Sequence, residues 1–285
     1  MKKTILFSLL VILPSLISAQ SSDGTIKRQS KSSSSSSSQK MKSKKRPTAR
    51  KKHPQGIPVI VSNVYTEEQF LNALGSNKTI VIHNNINLSS VLNHTLKLSG
   101  YNNLTITGKQ SSIRLGVTNG QNLIIDFESC NNVSLNYLVL GHETVLSCWA
   151  GVLDFKKCKN VSLTNCDIYG CGYYGIEFDD CQNIVLNTCN IHDCATRMLV
   201  VNNCEDVRVS KTIFKESDCG GVIDIHRSNQ VYFDTCSFED SQQSASSFWK
   251  CFDLDCNISL RNCIIRYKGN IGDTKYIVQK DCRWQ

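Results

Sequence analysis

The chain repeats itself at a period of about 23 residues. Cys130-Asn131-Asn132-Val133 returns as Cys158-Lys159-Asn160-Val161, Cys181-Gln182-Asn183-Ile184 and Cys204-Glu205-Asp206-Val207, at steps of 28, 23 and 23 residues. Residues 101–104 precede the series, and 228–231 and 255–258 continue it. Each segment opens an apolar–polar alternation, as in Val161-Ser162-Leu163, Ile184-Val185-Leu186 and Val207-Arg208-Val209. A second alternation follows at Cys166-Asp167-Ile168, Cys189-Asn190-Ile191 and Cys236-Ser237-Phe238. After a turn of variable length comes a third, at 153–155, 176–178, 199–201 and 223–225. Three short period-two strands per unit cannot bury their own apolar faces, so units must stack on one another. The expected fold is all-β: a right-handed parallel β-helix over 57–285, with about nine coils between residues 79 and 282.

A polar column marks one bend of every coil. Asn103, Asn132, Asn160, Asn183, Asp206, Gln230 and Asn257 each sit just before the first strand. Stacked side-chain amides can hydrogen-bond along the axis and satisfy each other at every turn. The same column creates Asn-x-Ser/Thr sequons at Asn103, Asn132, Asn160 and Asn257, which read as by-products of the repeat. Before the first coil, Thr66-Glu67-Glu68-Gln69 is a capping box, with Tyr65 and Phe70 at staple positions and Gly75 as a stop. A short helix over 67–74 is expected to cap the open end of the solenoid, where an exposed strand edge would otherwise invite pairing.

The N-terminus has a different composition. Met1-Lys2-Lys3, an apolar stretch over 4–17 and Ser18-Ala19-Gln20 have the form of a secretory signal peptide, residues 1–19. The apolar stretch is too short to span a bilayer, and no later run of 18 apolar residues follows, so no transmembrane segment is expected after cleavage. The protein is expected to be secreted, periplasmic or held at the cell surface. Residues 20–56 are rich in serine and lysine, with an unbroken serine tract over 32–38, and lack the apolar residues a core needs. They are expected to form a disordered basic linker. The formal charge of +8 arises there: beyond His53 the chain carries 19 basic and 23 acidic residues, a net −4. A cationic linker can hold a protein near an anionic cell-wall or envelope polymer, or serve only as a solvated spacer. An exported chain with an acidic folded region does not suit nucleic acid.

From residue 59 to residue 282 the chain resembles the exported right-handed parallel β-helix proteins of the pectate-lyase-like superfamily, uncharacterised bacterial members above all. The resemblance is most specific at Leu140-Gly141-His142-Glu143, at the run from Cys148 through Trp149 to Leu153, and from Cys166 to Gly172. It implies a polysaccharide-related role, since the superfamily holds pectate lyases, polygalacturonases and alginate-active enzymes beside non-catalytic adhesins and phage fibres. The polygalacturonase signatures Asn-Thr-Asp, Gly-His-Gly and Arg-Ile-Lys are absent, and Asp179-Asp180 matches only that family's Asp-Asp pair. Fold alone does not settle function.

Alternation identifies the residues of the third strand that point outward. One outward column reads Asp126, Asp154, Glu177, Val200, Asp224, Asp253; the next reads Glu128, Lys156, Asp179, Asn202, His226, Asp255. In-register neighbours lie about 4.8 Å apart, where like charges repel. A raised carboxyl pKa, a hard cation such as Ca²⁺, or splaying into water would relieve that repulsion. The resemblance implies that chemistry lies on this face. Asp154, Glu177, Asp224 and His226 are the candidate catalytic residues, expected in one shallow groove, with Lys156 a candidate lyase base. Glu177 and Asp224 would stand two coils apart, at a gap suited to a water between acid and base. Trp149, Tyr173, Tyr174, Asp179, Arg197 and Trp249 are candidate substrate-binding residues, the aromatics forming a sugar-stacking rim.

The 15 cysteines also fall into columns: Cys130, Cys158, Cys181 and Cys204, and then Cys166, Cys189, Cys236 and Cys263 with Thr212 interrupting. Stacked parallel strands hold Cβ atoms about 4.8 Å apart, against ~3.8 Å in a disulfide, so reduced, buried thiols are expected. Cys189, His192 and Cys194 diverge on an alternating strand and do not read as a metal site. Two functions remain open. One is a secreted protein that binds, and as a lyase or hydrolase cleaves, a polysaccharide. The other is a non-catalytic, adhesin-like surface protein.

Overall fold

The structure, a computed structural model, describes residues 58–88, 95–110, 113–117, 122–142, 150–217, 223–240, 249–251, 256–267, 271–272 and 274–285. The signal-like residues 1–19, the whole linker 20–56, Trp149, Asp253 and Asp255 lie outside them. Three parallel sheets run the length of the solenoid, with ten, nine and seven strands among the described residues. Each strand pairs in register with its counterpart one coil away. Val133, Val161, Ile184, Val207, Val231 and Ile258 are stacked neighbours in the first sheet. The third sheet, which matters most for function, comprises Leu96–Ser99, Ile125–Glu128, Leu153–Lys156, Tyr174–Asp179, Arg197–Asn202, Ile223–His226 and Trp249–Cys251.

The bends explain the polar column. Asn77, Asn103, Asn132, Asn160, Asn183, Asp206 and Gln230 all have φ between 56° and 58°, the left-handed region that Asn and Asp tolerate best. One such residue turns the chain into the first sheet. The amides then bond along the axis: Asn103 Nδ2 donates to Asn77 Oδ1 and Asn132 Nδ2 to Asn103 Oδ1, both at 2.8 Å, and Asn183 Nδ2 to Asn160 Oδ1 at 3.0 Å. The ladder slips once, where Asn160 donates to Asn131 in place of Asn132.

Inside the coils, like stacks on like. Phe127, Phe155 and Phe178 stack at centroid distances of 4.7 and 5.1 Å. The cysteine columns have a polar purpose that alternation alone does not show. Cys158 Sγ donates to the carbonyls of Lys156 and Phe127, and Cys181 Sγ to those of Asp179 and Phe155. Where the columns lack cysteine, a hydroxyl does the same: Ser228 Oγ donates to the His226 carbonyl and Thr212 Oγ1 to that of Ser210. Each column position therefore needs a small buried donor to meet the bend carbonyls.

The helix Glu67–Ala73 starts at Thr66, whose hydroxyl accepts from Gln69 N; Gln69 Oε1 reaches one residue past the expected box partner and accepts from Tyr65 N. Phe70 and Ala73 are buried and join the core.

The last coil corrects the expected register. Ile223, Asp224 and Ile225 pair with Trp249, Lys250 and Cys251, so Lys250, and not Asp253, follows Asp224 in the column. Trp249 thus takes an inward position. It is only 2 % exposed and packs edge-on against Phe233 and Phe238. It has no face to offer a sugar.

Candidate functional site

The outward column of the third sheet runs in register from Lys97 through Asp126, Asp154, Glu177, Val200 and Asp224 to Lys250. Beside it run Ser99, Glu128, Lys156, Asp179, Asn202 and His226. The carboxylates do not splay into water. Lys156 Nζ lies 2.6 Å from Asp154 Oδ2 and 3.8 Å from Asp126 Oδ1, filling the space between two acids with an ammonium. Arg197 Nε binds Asp224 Oδ2 at 2.9 Å, and Asn202 Nδ2 donates to Glu177 Oε1 at 3.1 Å. The chain's own donors relieve the column, and the position a hard cation would take between Asp126 and Asp154 is held by Lys156. Among the described residues, no group of three or more His, Cys, Asp and Glu is arranged to hold a metal.

The site residues separate into two sets. A cleft of about 310 Å³ is lined by Tyr173, Tyr174, Glu177, Thr196, Arg197, Val200, Asn202, Asp224 and His226. Asp154 stands one coil below Glu177 but is 2 % exposed, covered by Lys156 and approached by the Tyr174 hydroxyl at 3.4 Å. The groove expected to take in all four candidate catalytic residues therefore holds three. Asp179, in register between Lys156 and Asn202, does not line the cleft either. Asn202 and Thr196 line the cleft and were not singled out in the sequence. Only register across coils places them there, since Asn202 lies beside Glu177 through the strand pairing of the next coil.

Within the cleft, each group has a distinct electrostatic state. Burial, then the charge of Asp154, raises the Glu177 carboxyl above the usual carboxylate range. Burial also raises Asp154, against the hydrogen bond from Lys156. That same hydrogen bond, made to Asp154, raises Lys156 and holds it as an ammonium, which does not suit a proton-abstracting base. Asp224 Oδ2 accepts from Arg197 Nε, and His226 Nε2 lies 2.8 Å from Oδ1, close enough for an ion pair but without hydrogen-bond geometry. That contact places a carboxylate beside the imidazole. Arg197 is itself anchored, with Nη1 donating to the Thr196 carbonyl at 2.8 Å. Tyr173 is 59 % exposed at the rim, its ring edge-on to Tyr174.

The coil geometry now has a family. The chain belongs to the right-handed β-helix family, whose model, described as the right handed beta helix region, matches residues 71–238. No curated protein matches it. Among solved structures, it is similar to PfbA, a surface adhesin of Streptococcus pneumoniae, at 10 % identity and a TM-score of 0.48, covering 80 % of this chain and 72 % of that one. It is similar also to the pectin methylesterase PemA from Erwinia chrysanthemi, at 11 % identity and a TM-score of 0.44, covering 81 % and 90 %. An alginate lyase from Paenibacillus aligns at 12 % identity and a TM-score of 0.41, covering 78 % and 98 %. These likenesses are of fold.

Proposed function

We propose that the cleft on the third sheet binds a polysaccharide outside the cytoplasm, with Glu177 as proton donor and His226, paired with Asp224, as proton acceptor. The observation that carries the proposal is a carboxyl raised by burial, facing a carboxylate-paired imidazole across the apolar floor of Val200. Glu177 and the strand that carries Asp224 and His226 are two coils apart, about 10 Å by strand spacing, which leaves room for a bond or a water between acid and base. Tyr173 supplies an exposed ring for stacking on a sugar face. Binding without cleavage, as in an adhesin, is the second reading. It is favoured by Asp224, which is held in ion pairs with Arg197 and His226 and leaves no free carboxylate opposite Glu177.

The test is a panel of pectin, alginate and glycosaminoglycans, with the parent chain, Glu177→Gln and Tyr173→Ala. Binding by the parent, weakened in Tyr173→Ala, supports the site. Turnover lost by a factor of 100 or so in Glu177→Gln, with binding retained, assigns the acid, since general acid catalysis contributes about 10²–10⁴-fold. Binding with no turnover in the parent selects the adhesin-like reading. Equal behaviour of all three chains on a bound glycan would place the site elsewhere.

A further inference from the structure

The second sheet carries a cluster of titratable groups that the cleft does not use. Its strands Asp167–Cys171 and Asn190–Cys194 pair in register, which sets His192 beside Tyr169 and Asp193 opposite Gly170. Asp193 and Gly170 are both left-handed, at φ 51° and 68°, and there the chain bends toward the third sheet. Three residues past Asp193, the turn delivers Thr196 and then Arg197 to the cleft. Thr196 Oγ1 and Arg197 N both donate to the Tyr173 carbonyl of the coil below.

Both nitrogens of the His192 ring meet carboxylates. Nδ1 lies 2.5 Å from Asp193 Oδ2, and Nε2 lies 3.1 Å from Asp167 Oδ1 one coil below. A carboxylate oxygen accepts only, and a neutral imidazole has a single N–H. Both contacts are hydrogen bonds only when the ring is an imidazolium. A neutral ring turns a lone pair toward one of the two acids.

We propose that His192 is a positioning residue for the cleft: as an imidazolium it clasps Asp193 to Asp167 and so fixes the turn that presents Thr196 and Arg197, and loss of its proton loosens that turn. The groups that face the ring come from three coils. From the coil below come Asp167 and the Tyr169 ring, stacked on the imidazole at 5.5 Å, with Arg114 over the same tyrosine. On its own strand, Asp193 binds it directly, and Asn190 Nδ2 donates to Asp167 Oδ1 at 2.8 Å. From the coil above, Lys215 stands in register with His192. Arg114 and Lys215 oppose a charge on the ring, and the two acids in contact favour it. Burial also works against the imidazolium, but the hydrogen bonds to Asp167 and Asp193 outweigh it and raise His192 above its ordinary value. Burial opposes ionisation of Asp167 too, and the bonds from His192 and Asn190 prevail and hold it below the usual carboxylate range. The folded-state value of His192 thus lies above that of the unfolded chain, about 6.5. The clasp contributes fully below that pH, and its contribution is lost as pH rises through the folded value.

The experiment combines an NMR titration of the His192 ring with hydrogen exchange over residues 193–198, in the full chain without ligand, for the parent, His192→Gln and Asp193→Asn. Exchange is expressed as protection factors, which remove the intrinsic effect of pH, with residues 205–210 of the first sheet as the control. In the parent, opening the turn releases one proton, so protection over 193–198 should fall by up to about tenfold per pH unit between about 6.5 and the His192 midpoint, while the control stays level. In His192→Gln, protection over 193–198 should be low at every pH. In Asp193→Asn, which removes one acid and keeps the shape, the His192 midpoint should move down and the fall in protection should move with it. A parent midpoint at or below the free-imidazole value overturns the proposal. So does a raised midpoint with level protection over 193–198, or an equal fall in the control, which would mean that the whole solenoid loosens and not the turn. If His192→Gln fails to fold, the parent profile and Asp193→Asn decide. Because no glycan is added, the result is independent of what the cleft binds.

Discussion

Asp154 and Glu177 are neighbours in one column, share a chemistry and end in different places. Alternation reveals that both point away from the core, and that much is legible from Leu153-Asp154-Phe155 and Ile176-Glu177-Phe178. What alternation cannot reveal is that Lys156, two residues along, folds back over Asp154 and seals it. The next coil has Asp179 at that position, so nothing covers Glu177 in the same way. A single lysine thus decides which acid faces the cleft. Lys156→Met should leave Asp154 buried without its cation. Loss of one partner from a buried pair costs about 3–5 kcal/mol. Lys156 is 43 % exposed, so screening reduces the expected loss to about 2 kcal/mol. Urea unfolding checks it, and Asp154→Asn in the Lys156→Met background should recover most of the loss. A double variant no more stable than Lys156→Met alone would mean the pair contributes by packing only.

At the scale of the strand, the repeat specified most of the first sheet, because seven of its ten strands among the described residues begin at a left-handed residue, from Asn77 to Gln230. The third sheet follows turns of variable length, and there the pattern has two solutions in the last coil. Trp249-Lys250-Cys251 and Phe252-Asp253-Leu254 both alternate apolar and polar, three residues apart. Period two cannot choose between them, and a shift of three exchanges inward and outward faces. The structure sets Trp249 beside Ile223, where its ring meets Phe233 and Phe238. Size explains the choice: a ring of this area gains more inside a coil that already holds two phenylalanines than at a rim. Trp249→Ala should therefore cost about 3–5 kcal/mol of stability, with Trp249→Phe recovering much of it. Chemical denaturation measures this. A stable Trp249→Ala chain with weakened glycan binding would restore the rim assignment.

At the scale of the molecule, the thiols show whether a solenoid of this kind depends on cross-links. A chain that opens like a signal peptide and carries 15 cysteines invites the expectation of a disulfide framework. The stacked columns oppose it, since strand spacing of about 4.8 Å holds Cβ atoms farther apart than the ~3.8 Å a bridge needs. Among the described residues, eleven cysteines are free thiols, ten of them buried. Each column position meets bend carbonyls from two coils, a task a thiol performs with its hydrogen in place and a disulfide sulfur cannot. Cys158 and Cys181 are also slow to ionise. For Cys158, a hydrogen bond from Cys130 lowers the pKa, but its bond with Cys181 and burial outweigh that and push it up to about 12. Attack and oxidation need the thiolate, so these groups are inert while the coils stay closed. Two measurements follow. Alkylation of the unfolded chain without reductant should label at least eleven cysteines by mass spectrometry, and reductant should leave the melting temperature of the folded chain unchanged. Cys181→Ser should cost no more than about 1 kcal/mol, because Ser228 and Thr212 already fill equivalent positions with a hydroxyl. Cys181→Val, which removes the donor and leaves carbonyls of Asp179 and Phe155 short of a partner, should cost more than the serine variant despite its greater hydrophobicity. If valine proves the better substitute, the columns are held by apolar packing and the donor role assigned to the thiols is wrong.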